Sequence, residues 1–140
     1  MGSATFGYNV GVASADGIVE VLMVVEDEPD MATLLRVILA REPRLRIMGT
    51  AASAEEALAE LDTLHPGLVI LDHGLNGTLT GLAAAPLIKQ KAPQAKILLF
   101  TAYDLASEAR KEPAVDAFLR KDRIGDLLPT VQSLLGLEAA

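Results

Sequence analysis

The chain predicts an α/β fold: a doubly wound, five-stranded parallel sheet with helices on both faces. Short apolar runs alternate five times with segments of helical periodicity, which implies parallel strands joined by right-handed crossovers. Two of those runs, Val21-Leu22-Met23-Val24-Val25 and Leu68-Val69-Ile70-Leu71, lack polar alternation and contain β-branched residues, as strands covered on both faces do. Composition points the same way: 51% of the 140 residues are hydrophobic, but only 4% are aromatic and none is Trp. Leu, Ile, Val and Ala must therefore build the core, which suits layered packing, and the length suits one domain.

The net charge of −7 and a pI near 4.7 argue against a basic nucleic-acid surface, so no direct nucleic-acid binding is expected. Absence of Cys excludes disulfides and thiolate metal sites. No apolar run approaches the roughly 18 residues of a membrane span, and no basic-then-apolar signal opens the chain. These features lead to the expectation of a soluble, cytoplasmic protein without membrane contact.

Residues 1–19 are rich in Gly, Ala and Ser and read as an N-terminal arm; 20–137 read as the domain and 138–140 as a tail. The first strand ends in Glu26-Asp27-Glu28. Pro29 then suits a first helical turn, and Met31, Leu34, Leu35 and Ile38 follow at helical spacing. Pro43 stops that helix, and Leu45 to Ala51 is a second strand. Ser53 followed by Glu56 is a capping-box pattern, with Ala57, Leu58, Leu61 and Leu64 as the buried face behind it. His65-Pro66-Gly67 ends that helix before the third strand.

A polar, glycine-rich loop, His73 to Gly81, follows Asp72. A third helix is expected from about Leu82 to Lys91, with Pro86 delaying or kinking it. Lys96 to Phe100 is the fourth strand, Asp104 to Glu112 a short helix stopped by Pro113, and Val115 to Leu119 the fifth strand. Ile124, Leu127, Leu128, Val131, Leu134 and Leu135 share one face of the last helix.

In an open parallel sheet, ligands gather at the carboxyl ends of the strands. Those ends carry Glu26 and Asp27, Asp72, Thr101 and Lys121. Three carboxylates in one pocket repel one another unless a cation binds. Hard oxygen ligands without nitrogen or sulfur point to Mg²⁺, with Mn²⁺ as the alternative. The Thr101 hydroxyl and the Lys121 ammonium would supply a hydrogen bond and a balancing charge to a phosphoryl group. Taken singly, each residue has a plainer reading as a helix-end charge, a turn residue or a surface cation.

The paired acids, the Asp after strand three, Thr101-Ala102 and Lys121-Asp122 in this order resemble the receiver domain of two-component response regulators, over about residues 20–136. The resemblance implies a flavodoxin-like strand order 2-1-3-4-5. It implies Asp72 as the phosphoacceptor, with a sensor histidine kinase or a histidine phosphotransfer protein as donor. Asp27, Asp72 and the Gly74 carbonyl would ligate Mg²⁺ and Glu26 would act through water. Thr101 and Phe118 would couple phosphorylation to a surface. Gly74 and Tyr103 would tune water access, Gly74 leaving one side open and Tyr103 screening the other. Arg41-Glu42-Pro43 and Lys121-Asp122 are similar to receivers that often precede helix-turn-helix output domains; the expectation is that the signal passes to a protein partner or to an output domain missing from the chain.

The chain departs from the family pattern at Glu26, which is more often Asp, and in its glycine-rich loop, where Gly81 falls one position late. The extra freedom of that loop suggests that phosphorylation or a partner orders it. Two fewer residues separate Thr101 from Lys121 than usual, which shortens the fourth helix and leaves homodimerisation open. Two other functions compete. One is a receiver-like interaction module that works without phosphorylation. The other is an Mg²⁺-dependent phosphohydrolase with an Asp nucleophile, disfavoured because Asp72-His73-Gly74 lacks a second Asp.

Overall fold

The computed structural model describes residues 17–25 and 29–137. Five strands, β1 (Val19–Val24), β2 (Leu45–Ala51), β3 (Leu68–Leu71), β4 (Lys96–Thr101) and β5 (Ala117–Arg120), form one parallel sheet in the order β2-β1-β3-β4-β5. This is the flavodoxin-like order expected. Between them run α1 (Pro29–Leu39), α2 (Ala54–Glu60), α3 (Gly81–Lys91) and α4 (Ala106–Arg110). A 3-10 stretch, Lys121–Asp126, leads into α5 (Leu127–Leu135).

The two-residue period of the strands divides the core. Val21, Met23, Leu68, Ile70, Leu98 and Phe100 pack with Leu35 and Leu39 of α1 and with Leu127, Val131 and Leu135 of α5. Their neighbours Leu22, Val24, Val69, Leu71, Ile97 and Leu99 pack with buried residues of α2, α3 and α4. Every residue of β3 is fully buried, as the unbroken apolar run required. In β2, Ile47 pairs with Val21 and Gly49 with Leu22, so Met48 has no partner and forms a bulge.

Several boundaries differ from the sequence reading. β1 begins at Val19, whose N–H donates to the Arg44 carbonyl at 2.7 Å, so this residue belongs to the sheet rather than to an arm. In α1 it is Leu39 that is buried, whereas Leu34 is 42% exposed: the apolar stripe lies one step around the helix from the expected face. Helix α3 starts at Gly81, capped by the Thr80 hydroxyl, and runs through Pro86. Proline in a helix costs about 3 kcal/mol. Complete burial of Ile88 alone offsets about 1.5–3 kcal/mol of this, and Ala84 and Ala85 are buried as well.

Helix α4 has only five residues rather than the expected nine, because its N-cap makes no side-chain hydrogen bond and the residue before Pro113 disfavours helix. β5 starts at Ala117 instead of Val115. The Asp116 carboxylate takes the Ile97 N–H at 2.8 Å and the Lys89 ammonium at 2.7 Å, displacing the ladder by two residues. The capping box of α2 forms with an offset: Ser53 Oγ accepts from Glu56 N–H, but Glu56 reaches back to Ala52 N–H, 2.7 Å away.

Two close contacts fix the ends of the fold. Glu42 is buried and accepts hydrogen bonds from Arg44 Nε (2.8 Å), Arg44 N–H (3.0 Å) and Gln132 Nε2 (2.8 Å), while Arg44 Nη2 donates to the Leu137 carbonyl at 3.0 Å. This cluster fastens the turn before β2 to the end of α5. The Arg44 side chain, then Gln132 and the Arg44 backbone, lower the Glu42 carboxyl to a pKa of about 2 from an ordinary value of 4.5. At the other end of the sheet, a Cβ placed on Gly81 would lie 2.1 Å from the Asp72 carbonyl oxygen, so only glycine fits.

A folded pKa below the unfolded one gives stability that is present above about pH 4.5 and fades toward pH 2. Glu42→Gln is therefore expected to unfold more easily at pH 7, by about 1.5–3 kcal/mol, and to show less of this acid dependence than the wild type in denaturation at a series of pH values. Gly81→Ala is expected to lose about 3 kcal/mol in urea unfolding, because the added methyl meets backbone that cannot turn aside.

Candidate functional site

Asp72 follows the last residue of β3, where the apolar run ends, and its N–H donates to the Val24 carbonyl at 2.9 Å. The sheet thus fixes its backbone. Its side chain is only 3% exposed, an expensive position for a carboxylate unless donors surround it. Oδ1 accepts the His73 N–H at 2.7 Å and, more weakly, the Gly74 N–H at 3.4 Å. Oδ2 accepts from Lys121 Nζ at 2.6 Å.

Lys121 reaches that oxygen from the residue after β5, two strands away in the sheet. Its side chain is 14% exposed, so the pair is largely shielded from water. Thr101 ends β4, the strand between them, and is fully buried. Its Oγ1 accepts the Tyr103 N–H at 3.4 Å. Parallel register brings the three residues to one edge of the sheet: Thr101 pairs with Arg120, and Leu71 with Leu99. Glu26 and Asp27 lie outside the described residues.

The loop after Asp72, whose glycines suggested extra freedom, is tied to its neighbours at its far end. Asn76 makes an isolated parallel bridge with Ser53, and Thr78 donates its N–H (3.2 Å) and hydroxyl (2.7 Å) to Glu55 Oε2. The Thr78 hydroxyl, then the backbone N–H groups of Glu55 and Thr78, lower the Glu55 carboxyl below its ordinary pKa. Gly77 adopts φ +89°, which admits glycine readily, and a Cβ there would come 2.5 Å from Glu55 Oε1. The loop is therefore fastened to the start of α2.

Gly74 lies beside Tyr103. The Tyr103 ring covers it, with Cε2 3.2 Å from where a Cβ would sit. The same ring meets His73 edge to face at a centroid distance of 5.6 Å. His73 Nδ1 accepts the Leu82 N–H at 3.4 Å near the start of α3, a capping role that its place beside Asp72 did not suggest. Phe118 in β5 is half-buried and lines a cavity of about 240 Å³ with Ala109 of α4 and Val115.

Sequence reasoning missed Glu55 and the close approach of Gly81. A Thr-Gly pair before a helix is a cue for the second; a carboxylate meeting a loop 23 positions away leaves none for the first. Among the described residues no three His, Cys, Asp or Glu side chains cluster as metal ligands. The donors at Asp72 are nonetheless hard oxygens, the kind that Mg²⁺ prefers. No helix among these residues is long and apolar enough to cross a membrane.

The model of the response regulator receiver domain matches residues 22–131. Among curated proteins, the positive alginate biosynthesis regulatory protein of Pseudomonas aeruginosa is 36% identical over 118 residues, covering 76% of this chain and 43% of that protein. The nitrogen assimilation regulatory protein NtrX of Azorhizobium caulinodans is 32% identical over 114 residues, covering 79% of this chain and 24% of its own length. The chain spans less than half the length of these relatives. Among solved structures, the response regulator protein TrrA of Thermotoga maritima, in complex with Mg²⁺-BeF, superimposes with a TM-score of 0.72 at 34% identity, covering 84% of this chain and 99% of that one. With the fold, these matches establish that the chain belongs to the response regulator receiver domain family.

Proposed function

We propose that this receiver domain takes a phosphoryl group from a phosphohistidine onto Asp72 and signals through the change that follows. The observation that carries the proposal is the 2.6 Å contact between Lys121 Nζ and a buried Asp72 carboxylate, with the Thr101 hydroxyl on the strand between them. A carboxylate oxygen of Asp72 attacks phosphorus, the P–O bond forms as the P–N bond breaks, and the imidazole leaves with the electron pair. Lys121 then balances charge on the phosphoryl oxygens and Thr101 donates a hydrogen bond to them. The protein contributes mainly position and charge.

Asp72, Asp27 and the Gly74 carbonyl would hold Mg²⁺, with Glu26 acting through water; Mn²⁺ would serve in its place. When bound, the cation neutralises charge on the transferring group. Thr101 shifts toward the new oxygens and Phe118 moves inward toward its cavity, altering the surface beside α4. Tyr103, lying over Gly74, screens the acyl phosphate from water on that side. The donor is a sensor histidine kinase or a histidine phosphotransfer protein, and the output is a protein partner or a further domain, as in the longer relatives. The domain thus catalyses only its own phosphorylation and dephosphorylation, in the cytoplasm where such donors act.

Incubation with Mg²⁺ and acetyl phosphate is expected to add the mass of one phosphoryl group to the wild type and nothing to Asp72→Ala, and EDTA should abolish the gain. No gain in a folded, Mg²⁺-binding wild type would favour an interaction module that works without phosphorylation. Lys121→Ala is expected to slow uptake about 10²-fold, read by the same mass assay over time.

A further inference from the structure

We propose that Glu55 is a positioning residue for the metal site: by gripping Thr78 it holds the loop that presents the Gly74 carbonyl, although it touches neither metal nor phosphoryl group. The inference rests on the receiver chemistry proposed above. The segment from Gly74 to Thr80 contains two glycines, so left alone it would sample many conformations and lose them whenever a ligand required one. It is held at both ends. On the Asp72 side, His73 N–H donates to Asp72 Oδ1, and the His73 carbonyl accepts from Leu75 N–H and Gly81 N–H, each at 3.0 Å.

On the far side the anchors are Asn76, bridged to Ser53, and Thr78, which gives both of its donors to one oxygen of Glu55. Gly74 lies between the two sets. Glu55 itself is held in the first turn of α2, a helix whose opposite end is tied to α3 by Lys91, through the Leu58 carbonyl at 2.9 Å and Asp62 at 2.6 Å. The carboxylate therefore acts from a fixed support. Gly77 belongs to the same arrangement, because a side chain there would strike the Glu55 carboxylate.

The test is calorimetric titration of the full chain with Mg²⁺, alongside hydrogen exchange of the loop amides in metal-free protein. Glu55→Ala is expected to weaken Mg²⁺ binding about tenfold, as loss of a group supporting a ligand does, and to speed exchange of the loop amides while the sheet stays protected. Thr78→Ala, which cuts the same tie from an exposed position, should do likewise, and the double variant should be no worse than either single one. Glu55→Gln keeps an oxygen for Thr78 and should recover most of the affinity.

An affinity within twofold of wild type in both alanine variants overturns the inference. So does a Gln variant as weak as the Ala variant, which would mean that the charge acts at a distance. A wild type that neither binds Mg²⁺ nor gains phosphoryl mass would instead sink the receiver chemistry, and this inference with it.

Discussion

A carboxylate almost wholly withdrawn from water is the constraint around which the carboxyl edge of the sheet is built. Asp72 keeps only 3% of its side chain exposed, and desolvation at that depth has to be offset by donors in fixed places. Two arrive from its own loop and one from Lys121, 49 residues later. That last contact exists only because β3, β4 and β5 run parallel in register, so that the residue after the last strand comes level with the end of β3. The long-range order of the fold and the electrostatics of one side chain are thus a single requirement.

The loop after Asp72 follows from the same demand. Gly81 packs against the backbone of Asp72, His73 caps the next helix and Glu55 grips Thr78. None of these contacts falls on a carboxylate oxygen of Asp72, yet each limits where the loop that follows it can run. The loop side of Asp72 is thus tied down by these contacts, while Phe118 in β5 lines, with Ala109 of the short helix α4, a cavity of about 240 Å³.

Much of this was legible in the sequence, for physical reasons that differ from element to element. The bounds of β2 are legible because Pro43 and Ser53 flank it with unambiguous stop and cap chemistry. The end of β3 was legible because an apolar run cannot continue through Asp72. Other features were hidden. The buried face of α1 is not legible, since Leu34, Leu35 and Leu39 are chemically alike and only packing chooses among them. The late start of β5 depends on Asp116 outcompeting the ladder for one N–H, a tertiary contest that no local pattern encodes. The Glu55 to Thr78 tie is invisible for the same reason, and the burial of Glu42 needed partners from both Arg44 and α5.

The bulge at Met48 has a consequence for the outer border of the sheet. β2 is an edge strand, and an unbroken edge is a template on which another chain could add a strand. An unpaired residue in its middle interrupts the spacing of donors and acceptors, and the ion pair between Arg46 and Glu20 lies across the neighbouring stretch. A foreign strand would find neither a regular ladder nor an uncharged surface. The same residue that disturbs the pairing of β1 with β2 therefore helps to keep the sheet at five strands, a safeguard against aggregation.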